Sequence, residues 1–304
     1  MKLFTKLALV SAIAVSGQAM AMQSLDDSAL SAATGQDGID LTIVTSGITI
    51  DKVLVHDNDG LDPAATNVPV AFGGINLGGT GEAGAIVVNN VSVAVDGANA
   101  NPLLGGALAH VVIDTDGGTA ADGSGAFLNI NATTNAIAVG IGGIAIGKSN
   151  AALDFTNAAS GARRGVAGET EILGAMNINV GASNLNIQLG AAQPQGALIL
   201  AKGVIQNGIT ISGLDLKDNV GGGAIGVDTI KVTSAGTGNV GNANLVVNTK
   251  IGVNATGLTV QSSGSQDIYL AGVKMGDLAT AGSIGDVEIQ GLNMGNSMIM
   301  VSGH

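Results

Sequence analysis

The chain has 304 residues, 46 % hydrophobic, 11 % charged and 2 % aromatic, with no cysteine and no tryptophan. Its formal charge is −12, an acidic excess that repels phosphate backbones and argues against a nucleic-acid partner. The apolar content argues against a disordered acidic tail, and the few aromatics argue against a membrane barrel, which carries aromatic girdles at both interfaces.

From the N-terminus, Lys2 and Lys6 flank the start of an apolar run, Leu7 to Val15, and Ala19-Met20-Ala21 supplies small residues at a cleavage site. This pattern predicts a secretory signal peptide over residues 1–21. The run falls short of the roughly 20 residues a bilayer span needs, so the mature chain is expected to hold no membrane-spanning segment. The 11 basic residues less Lys2 and Lys6 leave 9 against 23 acidic ones, a formal charge of −14 for the mature chain. Without cysteine, an exported chain depends on burial and backbone pairing alone. Residues 22–38 are predicted to form a short helical segment. Ser24 and Asp27 resemble a capping box, Leu25 and Leu30 share a face, and Gly35 is placed to end the helix.

Residues 39–304 read as a single repetitive β domain. One phrase recurs, in which two alternating apolar residues, a glycine or polar corner, and two more alternating apolar residues follow each other. It runs from Ile209 to Asp218 (ITISGLDLKD), from Ile268 to Asp277 and from Val287 to Asn296, with looser copies at Ile48, Ile86, Val139 and Ile225. Period-two alternation marks strands with one buried face, and glycine or asparagine between two such runs marks a bend. Polar, Gly-rich stretches from His56 to Thr66 and Asp114 to Gly125 read as loops. Lys148 to Ile172 breaks the alternation and holds the two arginines, Arg163 and Arg164.

The irregular steps between copies predict an all-β, repetitive β-solenoid or β-helix-like stack of about 14 coils at about 4.8 Å each. The alternative is an elongated antiparallel β-sandwich, because an apolar pair, a glycine and a second apolar pair also describe a bent strand.

Asp57, Asp59 and Asp62 surround Gly60 in an oxygen-rich loop and are the candidate metal ligands, with calcium the candidate ion, since it takes 6–8 oxygen ligands. The EF-hand spacing fails, because Val68 stands where the twelfth-position glutamate belongs. Asp114 and Asp116 make a weaker candidate. Gly142 to Ser149 satisfies the phosphate-loop pattern, but Ile144 and Ile146 belong to the chain's own alternation, so the match reads as incidental. Asp215 and Asp218 are the carboxylates that a polysaccharide-active enzyme would pair on one coil. His56, His110 and His304 form no recognisable set, and no catalytic constellation or further cofactor site emerges.

The segment MQSLDDSALSAATGQDGIDLTI resembles the opening of FilA-like pilus-system proteins of gram-negative bacteria, through Leu25, Asp27, Leu30, Gly35, Gln36 and Ile39. That resemblance covers some 20 residues and implies an exported surface protein without an enzymatic role. The expected function is structural or adhesive, at the cell surface, on a pilus or outside the cell, with the periplasm as the alternative location. Expected partners are other pilus-system or surface proteins, or further copies joined through the uncharged C-terminal strand Met298 to Val301. A β-helix enzyme and a calcium-stabilised secreted roll are the alternatives.

Overall fold

The computed structural model describes residues 38–64, 78–119, 121, 125–157, 161, 163–190, 197–236, 243–255, 257–293, 295 and 298–301. The expected signal peptide and nearly all of the expected helical segment lie outside them. The chain divides into Met1–Ile39 and Asp40–His304; the sheets described here belong to the second unit from Asp40 onward.

The strands are β1 (Ile39–Ile43), β2 (Ile48–Asp57), β3 (Gly84–Val95), β4 (Ala109–Asp116), β5 (Phe127–Thr134) and β6 (Ile137–Ile141). They continue with β7 (Ile144–Ser149), β8 (Val166–Leu173), β9 (Met176–Val180), β10 (Ser183–Leu189), β11 (Ile199–Ile205) and β12 (Ile209–Asp218). The last are β13 (Gly223–Ser234), β14 (Leu245–Asn254), β15 (Gly257–Ser262), β16 (Ser265–Met275), β17 (Ser283–Asn293) and β18 (Met298–Val301). A single 3-10 turn, Pro102–Leu104, is the only helical element among the described residues.

An eight-stranded sheet runs β1-β4-β5-β10-β11-β14-β15-β18. The second sheet has ten strands on its path, counted from β17 through to β9, with β2 paired to β3. Two of its lines are broken strands: β6 and β7 pair with the two halves of β3, and β8 and β9 lie in the same way against β12. Joining those halves gives the sequence β2, β3, β6/β7, β8/β9, β12, β13, β16, β17, which is eight lines in chain order. Spatial order equals chain order in both sheets.

Each line of one sheet is followed or preceded in the chain by a line of the other. Asn135–Ala136 alone joins β5 to β6, Gly181–Ala182 joins β9 to β10, and Ser263–Gly264 joins β15 to β16. The unit is therefore a ladder of eight rungs among the described residues, each rung crossing both sheets. The first is β1–β2 and the last β17–β18.

Gly181 shows how tightly neighbouring crossings pack. A Cβ there would lie 1.5 Å from the Gln206 carbonyl oxygen, a space only glycine fits. Asn135, fully buried, ties another crossing together. Its Oδ1 accepts from the amides of Asn101 and Ala136, and its Nδ2 donates to the Ala107 carbonyl.

The repeated corner is a break within a strand of the second sheet. Gly213 interrupts β12 with φ +83°, left-handed backbone that a side chain strains. The row Ile48–Val93–Val139–Ile178–Ile211–Ile230–Leu270–Val287 crosses all eight rungs on one face of that sheet. Across the other sheet runs Leu128–Leu189–Ile199–Ile251–Val260–Ile299. The opposite face is polar along β5 and β10, where Asn184 donates to Thr133 and Asn186 to Asn129. Such cross-strand pairs are the unit of sheet stability.

The solenoid expectation is thereby corrected. Neighbouring strands run antiparallel, so the chain doubles back at the end of every rung instead of winding onward. Residues 219–222 alone join β12 to β13, and a parallel crossover needs a dozen residues or more. The count falls from about 14 coils to eight rungs. Two antiparallel sheets agree with the sandwich alternative. Alternation fixes which face is buried and leaves strand direction open.

Candidate functional site

The two ends of the ladder are its least covered parts. Every residue of β1 and of β18 is exposed, as are most of β2 and nearly all of β17. Ile48 is 46 % exposed and Val287 45 %, whereas Val139, Ile178, Ile211 and Ile230, between them in the same row, are half-buried. The chemistry is the same along the row; the terminal residues lack a neighbouring rung. At the last end, Met298, Ile299 and Val301 are 59 %, 62 % and 56 % exposed. Among the described strands, none pairs with the outer side of β2 or β17 in one sheet, or of β1 or β18 in the other. Such edges present backbone donors and acceptors ready for another strand.

Polar contacts brace the last rung from its inner side. Asp286 accepts from the Gly272 amide at 2.8 Å and the Tyr269 hydroxyl at 2.7 Å. Those bonds, the amide's first, hold its carboxyl below the usual range, while the Asp286 partner pushes the Tyr269 phenol up. Asp267 accepts from the Gly291 amide at 2.7 Å. At the first end, Asp40 meets His110 of β4 at 2.7 Å.

Further apolar residues line the far tips of the ten-strand sheet. Val55, Ile86 and Ile146 face one another across β2, β3 and β7; Leu216, Ile225 and Met275 form a separate row across β12, β13 and β16, which Leu173 joins to Ile144. Val55, Ile86, Ile146, Leu216, Ile225 and Met275 are exposed.

A groove of about 820 Å³ gathers basic side chains in this acidic chain: Lys52, His56, Arg163 and Arg164, beside Glu169, Ile50 and Leu54. Lys52 pairs with Glu169, and Asn89 donates to the same carboxylate. Both contacts hold Glu169 below its ordinary value, the lysine's first. Arg164 Nη1 donates to Asn58 Oδ1 at 2.6 Å and its Nε to the Asn150 carbonyl at 2.7 Å. His56 Nδ1 lies 2.8 Å from Ser149 Oγ, which gives its own proton to the Gly84 carbonyl. With the hydroxyl proton so engaged, Nδ1 is the donor of the His56–Ser149 contact. The sequence singled out the arginines and placed them in a break; their meeting with Lys52 and His56 had no sequence signal, since β2 and β8 lie three lines apart.

A polar cavity of about 450 Å³ holds Asp96, Asn99, Asn179, Thr210 and Lys231. Lys231 donates to Thr210 Oγ1 at 3.0 Å, and burial lowers its pKa.

The sequence candidates fall as follows. Asp57 ends β2, and Asp59 and Asp62 lie in the loop beyond. Asp62 Oδ1 accepts from the Ala64 amide at 2.8 Å, a local turn bond. Among the described residues, no group of three or more His, Asp or Glu side chains is arranged to hold a metal ion. Asp116 likewise caps a turn through the Gly118 amide.

Gly142 to Ser149 crosses the break between β6 and β7 and runs along a strand. Lys148 pairs with Glu82, and the Gly142 and Ser149 amides bind the Asn89 and Ala83 carbonyls. No amide cradle opens there for a phosphate. Asp215 and Asp218 line one cavity of about 260 Å³ with Lys217 and Asp277. The Gly221 and Val220 amides hold Asp218 below the ordinary carboxylate range, opposite to the raised value a general acid needs.

Residues 1–102, about a third of the chain, match a family of unknown function (DUF6160). No curated protein and no solved structure matches the chain. Among the described residues no helix is long and apolar enough to cross a membrane.

Proposed function

We propose that this chain is an exported structural or adhesive surface protein of a pilus or filament system, acting by strand-mediated assembly and surface contacts. The observation that carries this reading is the pair of open ends, where apolar residues that continue the interior rows meet no neighbouring rung among the described residues. A folded body whose uncovered surface is strand edge suits joining other chains better than turning over a substrate. The signal-like N-terminus and the resemblance of residues 22–43 to FilA-like proteins support export and the pilus connection. The matched family carries no activity that would add to either.

Immunogold labelling of intact cells tests the reading, together with deletion of the chain. Label on the outer surface or on filaments, with altered filaments after deletion, is the expected result. Protein retained in the cytoplasm contradicts it.

A further inference from the structure

Rung direction, strand length and side-chain row all bear on what fits the open ends. Successive rungs alternate in direction, and there are eight, so the first and last point opposite ways. Rung one runs from the eight-stranded sheet to the ten-stranded one, and rung eight runs back. A second copy displaced along the stacking direction therefore sets its first rung antiparallel to the last rung of the copy before it. Both sheets continue at once, with β2 of the second copy beside β17 and its β1 beside β18.

The lengths agree. β2 has 10 residues against 11 in β17, and β1 has 5 against 4 in β18. The apolar row agrees as well, since Ile48 begins and Val287 ends the same line of cross-strand partners. A chain with an odd number of rungs would meet its own copy in parallel and break the antiparallel order.

From this geometry we infer that the partner of each open end is the opposite end of a second copy of this chain, stacked head to tail. The inference rests on the assembly reading above and names the partner. The contact joins two different surfaces, so it does not close on itself and each added copy leaves a fresh edge.

The absence of cysteine from the chain gives a clean test. In the exported chain carrying both Ile48→Cys and Val287→Cys, the two thiols sit at opposite ends. Seven steps of about 4.8 Å separate them, beyond any internal disulfide. Across the stacked contact they face each other at cross-strand distance, within disulfide reach. Mild oxidation is expected to give a ladder of dimers, trimers and higher species on a non-reducing gel, while each single variant stops at a trace of dimer. No ladder from the double variant overturns the inference. So do single variants that dimerise as readily, because they would report like edges pairing with like.

Should the cysteine variants fail to fold, sedimentation of the natural chain decides alone. Mass growing in whole-chain steps with concentration is expected, and a constant single-chain mass overturns the stacking. A single-chain mass from protein that is displayed on cells removes the self-stacking and leaves the surface role standing.

Discussion

The fourth and fifth rungs, β8/β9–β10 and β11–β12, can be set against the first and last. All are built from the same phrase, and the row through Ile178 and Ile211 reaches Ile48 and Val287 unchanged in character. In the middle these residues are half-buried between neighbours; at the ends they are exposed. In an array where each unit touches only the next, burial is a property of the interface between units. Terminal units with an apolar, unpaired edge are what such arrays ordinarily cap.

The sharpest way to break the middle is Gly181→Ala. The new Cβ would sit 1.5 Å from a carbonyl oxygen, and a loss of about 3 kcal/mol is expected, read as a fall in denaturation midpoint. Asn135→Ala comes next. It strands two amides and a carbonyl in a buried crossing and should cost about 2–3 kcal/mol. Little change in midpoint would mean that the crossings are not what holds the sheets together.

Ile211→Ala and Ile48→Ala place one substitution at two points of one row. The interior change should cost about 2 kcal/mol, and the terminal one under about 0.5 kcal/mol in the isolated chain. Equal losses would contradict the neighbour account of burial. Thr233, fully buried, carries a hydroxyl with no hydrogen-bond partner. Thr233→Val should leave stability unchanged or raise it by up to about 1 kcal/mol, seen in the melting temperature.

The smallest effect is that of pH. Glu82, Glu169, Asp218 and Asp286 all have lowered pKa values. A carboxylate depressed on folding adds stability that is present above its unfolded value and lost as pH falls through its folded one. Melting temperature should therefore hold steady through neutral pH and decline below about pH 4. A rise on acidification would reverse the sign.

Much of the strand pattern was legible in the residues. The phrases at 209, 225, 268 and 287 are β12, β13, β16 and β17, and the glycine corner of the first is the left-handed Gly213. Strand direction was not, because alternation says which face is buried and nothing about the neighbour's heading. The turn after Asp218 did hold the missing clue: its carboxylate accepts from the Val220 and Gly221 amides, the signature of a tight reversal. Of the site, Met298 to Val301 was picked out as an assembly strand and lies at a sheet edge. The matching edges β1, β2 and β17 resemble every other copy in composition, and only their first and last places in the ladder make them open.

Cryo-electron microscopy of assemblies formed by the exported chain would show whether the rungs continue from copy to copy. Eight antiparallel rungs continued from copy to copy predict an axial rise of about 38 Å per chain, eight strand spacings of about 4.8 Å. A filament with that rise, its strands perpendicular to the axis and both sheets unbroken across each junction, is the expected result. Closed pairs, or filaments with a different rise per chain, would contradict it.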